Sequence, residues 1–144
     1  MAKIKAMEVI VDTNVIADVL NDDPLWASWN KRRLVEQEGG LLINPIIYAE
    51  LCYRADSSAA VDQIIAGLGL RYKEFSRSAL FLAAKAFRSY RQRGGIKSSP
   101  LADFFIGAHA EAAGLTILTR DPARYRTYFP AVPLICPLAG PEDW

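Results

Sequence analysis

The sequence predicts an α/β fold, a parallel sheet covered by helices on both faces, and three observations carry that prediction. Short apolar runs of strand length alternate with longer segments of helical periodicity. Glycine, proline and asparagine punctuate the junctions, as Asn21-Asp22-Asp23-Pro24, Gly39-Gly40 and Gly94-Gly95 do. Two apolar runs also end in an aspartate: Val9-Ile10-Val11 in Asp12, and Leu115 to Leu118 in Thr119-Arg120-Asp121. In open α/β sheets the ends of strands are where ligands bind.

The elements follow in order. Val9 to Val11 reads as a first buried strand and Asn14 to Leu20 as a short helix stopped by the turn at Asn21. Leu25 to Glu38 reads as a helix ended by Gly39-Gly40, and Leu41 to Ile43 as a second buried strand. Asn44-Pro45 starts the next helix, since Asn caps free amides and Pro fits the first helical position. That helix carries Glu50. Ser57 to Gly67 is another helix, and Leu70 to Phe75 a brief extended segment. Ser76 caps a long helix whose apolar stripe is Leu80, Ala83, Ala84, Phe87 and Tyr90. Ser98-Ser99-Pro100 opens a further helix with Leu101, Phe104, Phe105, Ala108 and Ala112 as its buried stripe, closed by Gly114 at C′. A strand from Leu115 to Leu118, a helical turn from Ala123 to Tyr128 and a last strand near Val132 to Ile135 complete the series. With no linker, repeat or low-complexity segment, residues 1–144 are expected to form one domain, and by surface scaling a chain this long buries roughly two-thirds of its unfolded surface.

Composition excludes several classes. No apolar stretch reaches the length of a membrane span and the N-terminus lacks signal-peptide character, so a soluble cytoplasmic protein is expected. Cys52 and Cys136 have no CxxC or His-rich company and read as buried thiols. The formal net charge is only +1, yet basic residues cluster at Lys31-Arg32-Arg33, at Arg88, Arg91, Arg93 and Lys97, and at Arg120, Arg124 and Arg126. A nearly neutral chain can thus keep an acidic centre and a basic rim.

Four acids stand out: Asp12, Glu50, Asp103 and Asp121. Each has an ordinary explanation. Asp12 and Asp121 sit where a helix cap would, and Asp103 in a first helical turn complements the helix dipole. Glu50 is harder to dismiss, because Ile46, Ile47, Leu51 and Tyr53 surround it and a buried unpaired carboxylate is costly. Several carboxylates around one cleft repel each other unless a hard cation such as Mg²⁺ or Mn²⁺ neutralises them. Such an ion can acidify water and offset charge on a transferring phosphoryl group, which suits phosphate-ester hydrolysis.

Asp12-Thr13-Asn14-Val15-Ile16, Tyr48-Ala49-Glu50-Leu51, Pro100 to Ile106 and Leu118-Thr119-Arg120-Asp121 closely resemble the motifs of PIN-domain ribonucleases, and more narrowly of VapC-type toxins. The resemblance runs from Glu8 to about Pro137, with all four acids in order. It implies a three-layer α/β/α sandwich with a central, mostly parallel five-stranded sheet, and Mg²⁺- or Mn²⁺-dependent endoribonuclease activity. It further implies Asp12, Glu50, Asp103 and Asp121 as catalytic residues, Asp12 and Asp103 as the foremost metal ligands, and Asn14 and Thr119 as polar supports. Arg120 is the candidate for contact with substrate phosphate. The resemblance also implies an RNA substrate, a small antitoxin partner that occludes the acidic cleft, and a homodimer.

The lone histidine, His109, argues against a metal-free ribonuclease built on two histidines, and its expected place is a helix surface or a satisfied core. No G-x-S-x-G elbow, P-loop or G-x-G-x-x-G is present. Two alternatives stand beside the nuclease reading. One is another metal-dependent phosphohydrolase, although Asn14 occupies the place where haloacid dehalogenases want a second Asp. The other is a PIN-like module that binds RNA without turnover.

Overall fold

The computed structural model describes residues 7–96 and 101–138. Five short strands, β1 (Val9–Val11), β2 (Leu41–Ile43), β3 (Arg71–Tyr72), β4 (Thr116–Leu118) and β5 (Leu134–Ile135), form one sheet in the order β3-β2-β1-β4-β5. Every pairing is parallel, with Ile10 opposite Leu42 on one side and Ile117 on the other. Every residue of β1, β2 and β4 is buried, as strands covered on both faces require.

The helices among the described residues are α1 (Thr13–Leu20), α2 (Ala27–Glu36), α3 (Pro45–Tyr53), α4 (Ser58–Gly67), α5 (Arg77–Gln92), α6 (Leu101–Ala113) and α7 (Ala123–Arg126). Strand and helix therefore alternate around an all-parallel sheet, the α/β/α architecture expected. Two helices start on the caps expected of them, Asn44 accepting from the Ile47 amide and Ser76 from Ala79, and Ser57, expected as the first residue of α4, proves to be its cap by accepting from Ala60. Gly114 ends α6 with φ +66°, a conformation that costs glycine little. Gly107 answers a different need, because a Cβ there would lie 2.2 Å from the Phe129 ring. No helix of the described residues is long and apolar enough to cross a membrane.

Several boundaries and faces differ from expectation. α2 begins at Ala27 rather than Leu25, because the Asp23 carboxylate binds the backbone N–H groups of Leu25 and Trp26 and holds them in a turn. β3 keeps only two residues of the extended segment, and β5 starts at Leu134. On α5, Leu80 and Ala84 face solvent, while Ala79, Leu82, Ala83, Ala86 and Phe87 turn inward. On α6, Leu101 and Ala112 are exposed, but Phe104, Ile106, Gly107, Ala108, His109 and Ala110 are all buried, so this helix is covered nearly all round. Cys52 and Cys136 are free but only half-buried. The predicted helix start at Ser98-Ser99-Pro100, together with Lys97, lies outside the described residues.

The strand order creates one special place. From central β1 the chain reaches β2 on one side and β4 on the other, so the crevice beyond the carboxyl ends of β1 and β4 is the switch point of the sheet. Asp12 follows β1, Thr119 to Asp121 follow β4, and a hydrogen bond from the Asp12 amide to Leu118 O (2.9 Å) ties the two ends together.

Candidate active site

Asp12 occupies the N-cap position of α1, yet its side chain caps nothing. It is 1% exposed, and its Oδ2 accepts from Tyr125 OH (2.7 Å), Thr119 Oγ1 (2.9 Å) and, at 3.5 Å, Asn14 Nδ2. A buried carboxylate needs such donors. None of these three bonds reaches Oδ1. Thr119 serves two strand ends at once, since the oxygen that donates to Asp12 also accepts from the Asp121 amide (3.0 Å) and from Asn14 Nδ2 (3.4 Å). Asn14 Oδ1 in turn receives the Arg120 amide at 3.5 Å. Asn14 and Thr119 are therefore placed as props of Asp12 and of the loop that carries Asp121.

The other acids come from three further elements. Glu50, on α3, accepts at Oε1 from Thr13 Oγ1 (2.7 Å), which joins the first turn of α1 to α3. Contrary to expectation the Glu50 side chain is exposed rather than buried, as is Tyr53; partial shielding from water by the surrounding protein and the charge of Asp12 still raise the Glu50 pKa, with Thr13 and Arg124 opposing. Asp103 stands in the first turn of α6, and burial raises its carboxyl to about 6. Arg124 pulls that value down, while Asp12, Glu50 and Asp121 push it up. The mutual influence of these four charges shows that four separate segments bring them together. Asp121 does not cap α7, whose N-cap is Pro122; its Oδ2 instead receives Arg124 Nε at 2.9 Å.

Two further residues belong to this site: Arg124, which the sequence places only in a basic cluster, and Tyr125, which it does not single out. Arg124 reaches Asp103 Oδ1 (3.6 Å) as well as Asp121, and although burial works against its charge, Asp103, Asp12 and Asp121 raise its pKa. It supplies part of the neutralisation that the acids require. Tyr125 is fully buried, and burial together with Asp12 holds its hydroxyl well above the ordinary tyrosine range, so it stays a donor. Arg124 lies three residues after Asp121, a spacing that offers a sequence clue, whereas Tyr125 offers none.

Arg120 is placed differently from the acids. Its Nε meets Asp18 Oδ2 at 2.9 Å, and its guanidinium lies over the Trp26 ring, 5.6 Å from the centroid. Asp18 is itself buried and also accepts from Asn30 Nδ2 (3.1 Å). Arg120 nevertheless borders a groove of about 690 Å³ that Thr13, Asn14, Glu50, Ile46 and Leu51 also line, so of the four acids Glu50 faces this groove directly. His109 stays out of this site: its Nδ1 lies 3.2 Å from Asn44 Nδ2, and because Asn44 Oδ1 already accepts from Ile47, the imidazole nitrogen must be the acceptor. Burial and the charge of Lys73 hold the His109 pKa below its ordinary value, so the ring is neutral and structural. No group of three or more His, Cys, Asp or Glu side chains is gathered to hold a metal ion among the described residues.

The same fold occurs in known toxin-antitoxin assemblies. A chain of the DNA-bound VapBC from Salmonella typhimurium superposes with a TM-score of 0.70 at 16% identity, over 90% of this chain and 98% of that one. VapBC2 from Rickettsia felis, bound to a DNA fragment from its promoter, gives 0.66 at 21% identity over the same shares. A toxin-antitoxin complex from Klebsiella pneumoniae gives 0.64 at 19%, over 87% of this chain and 95% of that one. At these identities the likeness concerns the fold, and no curated protein sequence matches the chain. The family model described as PIN domain, however, matches residues 9–130, a span that begins at β1 and takes in all four acids, Thr119, Arg124 and Tyr125. The chain belongs to the PIN domain family.

Proposed function

We propose that this protein is a metal-dependent endoribonuclease that hydrolyses RNA phosphodiester bonds and acts as the toxin of a toxin-antitoxin pair. The observation that carries the reading is the convergence of Asp12, Glu50, Asp103 and Asp121 at the switch point of a parallel sheet, with Asp12 held from one side only. Oxygen donors of this kind fit Mg²⁺ or Mn²⁺. Mg²⁺ commonly takes only one or two carboxylates and completes its shell with water and substrate phosphate, so two acids of this site are enough protein ligands for it. Asp12, through the oxygen that Tyr125, Thr119 and Asn14 leave free, and Asp103 would hold the ion. When bound it would supply Lewis-acid polarisation of the phosphate and a lowered pKa for an attacking water. In this reading Glu50, with its raised pKa, and Asp121 orient water and exchange protons. Arg120, at the groove edge, is the substrate-phosphate contact of this reading, its guanidinium fixed in place by Asp18 and Trp26.

The reading includes an antitoxin protein that covers the cleft, and self-association as a homodimer. Its support is the likeness to VapBC and toxin-antitoxin complexes and the apolar lining of the groove at Ala17, Leu20, Ile46 and Leu51, beside Glu50.

The deciding experiment is cleavage of total RNA by the purified protein with Mg²⁺ or Mn²⁺, run beside EDTA and the Asp12→Asn variant. Discrete fragments that require metal and disappear in the variant are the expected result. Cleavage that survives Asp12→Asn would remove Asp12 from the reaction. RNA retained equally with and without metal, and never cut, would leave only a binding module.

A further inference from the structure

We infer that Arg124 is a built-in counter-cation that holds the acidic site together without metal and competes with a divalent ion for Asp103, so that it sets how tightly the ion binds. The inference rests on the metal-dependent reading above and adds to it a residue of the chain itself. The two contacts of Arg124 are unequal. Nε meets Asp121 Oδ2 at 2.9 Å, a charge-assisted hydrogen bond to a residue three positions earlier, whereas Nη1 stands 3.6 Å from Asp103 Oδ1, beyond good hydrogen-bond length. Asp121 is thus the anchor and Asp103 the releasable partner. The Arg124 side chain is 42% exposed, which leaves it a way to move toward solvent.

Charge makes this arrangement a competition. Without a cation, Asp103 would face Asp12, Glu50 and Asp121 with nothing to offset them. An ion with two positive charges seated on Asp12 and Asp103 would take over that task and repel a guanidinium within a few ångströms. Arg124 would then give up Asp103 and keep Asp121. A purely structural ion pair predicts no such exchange, because both contacts would persist.

The test uses the full chain and the metal alone. Mn²⁺ binding is measured by calorimetry for the wild type, Arg124→Gln and Arg124→Lys at about pH 8, where Asp103 is ionised, and melting temperatures are read in EDTA and in Mn²⁺. Arg124→Gln is expected to bind Mn²⁺ about tenfold tighter or more, as removal of a unit charge in contact with a ligand would do. It should also melt below the wild type in EDTA and recover in Mn²⁺, with Arg124→Lys close to wild type. A wild type that binds Mn²⁺ and an Arg124→Gln variant that binds it no better would overturn the role of Arg124 and leave the metal reading standing. If neither binds Mn²⁺, the metal reading itself fails. Should the variants not fold, the Arg124 Nε–H resonance of the wild type, titrated with Mg²⁺, replaces them: a shift with faster solvent exchange supports the competition, and an unmoved resonance beside shifting Asp12 and Asp103 signals refutes it.

Discussion

At Asp12 a single carboxylate oxygen collects three donors from three segments of chain, and Tyr125 provides the shortest of these bonds, 2.7 Å. Tyr125→Phe keeps the ring and removes only that bond, so it isolates what the hydroxyl contributes. A buried hydrogen bond to a charged group is worth about 1.5–3 kcal/mol, and loss of that order in urea denaturation is expected, with cleavage reduced because Asp12 is less firmly aimed. Asp103 makes the complementary case. Its folded-state value of about 6 lies above the ordinary 3.8, so the folded protein holds this proton more tightly than the unfolded chain does. The stability it contributes is complete below about pH 4 and is lost as pH rises through about 6. In EDTA, Asp103→Asn should therefore stabilise the protein at neutral pH, by on the order of 1–2 kcal/mol once the lost pairing with Arg124 is set against the relieved repulsion. It should also flatten the change in melting temperature between pH 4 and 7. If Asp103 holds the ion as proposed, wild-type cleavage should climb with pH through about 6, because ion and proton would then compete for the same carboxylate. A melting temperature for Asp103→Asn at neutral pH that falls below the wild type in EDTA would show that its pairing with Arg124 outweighs its burial.

Asn44 ends β2, caps α3 and faces His109 on α6, so one side chain fixes the angle at which the helix carrying Glu50 leaves the sheet. Its loss should cost more than the loss of a simple cap. Asn44→Ala removes the bond to the Ile47 amide and leaves His109 Nδ1 buried without its donor, for about 2–3 kcal/mol in all, against about 1 kcal/mol for Ser57→Ala at the exposed start of α4. Urea midpoints with unchanged m-values would check the ratio. At this scale the sequence was readable wherever one local rule dominated. Asn44-Pro45, Ser57, Ser76 and Gly114 mark true helix ends, and of the three-residue strands β1 and β2 are apolar throughout and β4 is apolar after Thr116. Reading failed where two patterns overlap. α5 carries apolar residues at Leu80 and Ala84 as well as at Ala79, Leu82 and Ala86, and periodicity does not say which stripe meets α6. α6 is buried nearly all round, so no stripe describes it. The acids of the candidate site were legible because strand ends and an apolar helix made them conspicuous. Arg124 and Tyr125 were not, since they sit in a four-residue helix too short to show a period.

Across the whole molecule the charges nearly cancel, yet they are not spent in the same way. Lys31 pairs with Asp22, and Arg33 pairs with Glu36 and lies over Trp29, so these two members of the basic run on α2 are engaged locally. Arg88 and Arg91 stand exposed on α5, and Arg93, just past its end, rests over Tyr128. That end of α5 is packed onto α6 by Tyr90 against Phe104, 5.5 Å between ring centroids, and Phe104 is the neighbour of Asp103. The helix that carries Arg88 and Arg91 and ends at Arg93 is therefore packed against the helix that carries Asp103. Under the proposed function, an RNA backbone that runs from the cleft along α5 would meet these arginines and release its own condensed cations, and each phosphate contact steepens the salt dependence of binding by about 0.7 for a single strand. In an Asp12→Asn background, chosen because the proposed reaction requires Asp12, Arg88→Ala, Arg91→Ala and Arg93→Ala together should lower that slope by about 2 and weaken binding at every sequence tested. Lys31→Ala with Arg33→Ala should leave it unchanged. Equal losses from both sets would mean that RNA is held by the general field of the protein, whereas a loss confined to the first set would fix the path of the strand along α5 and into the cleft between Asp103 and Glu50.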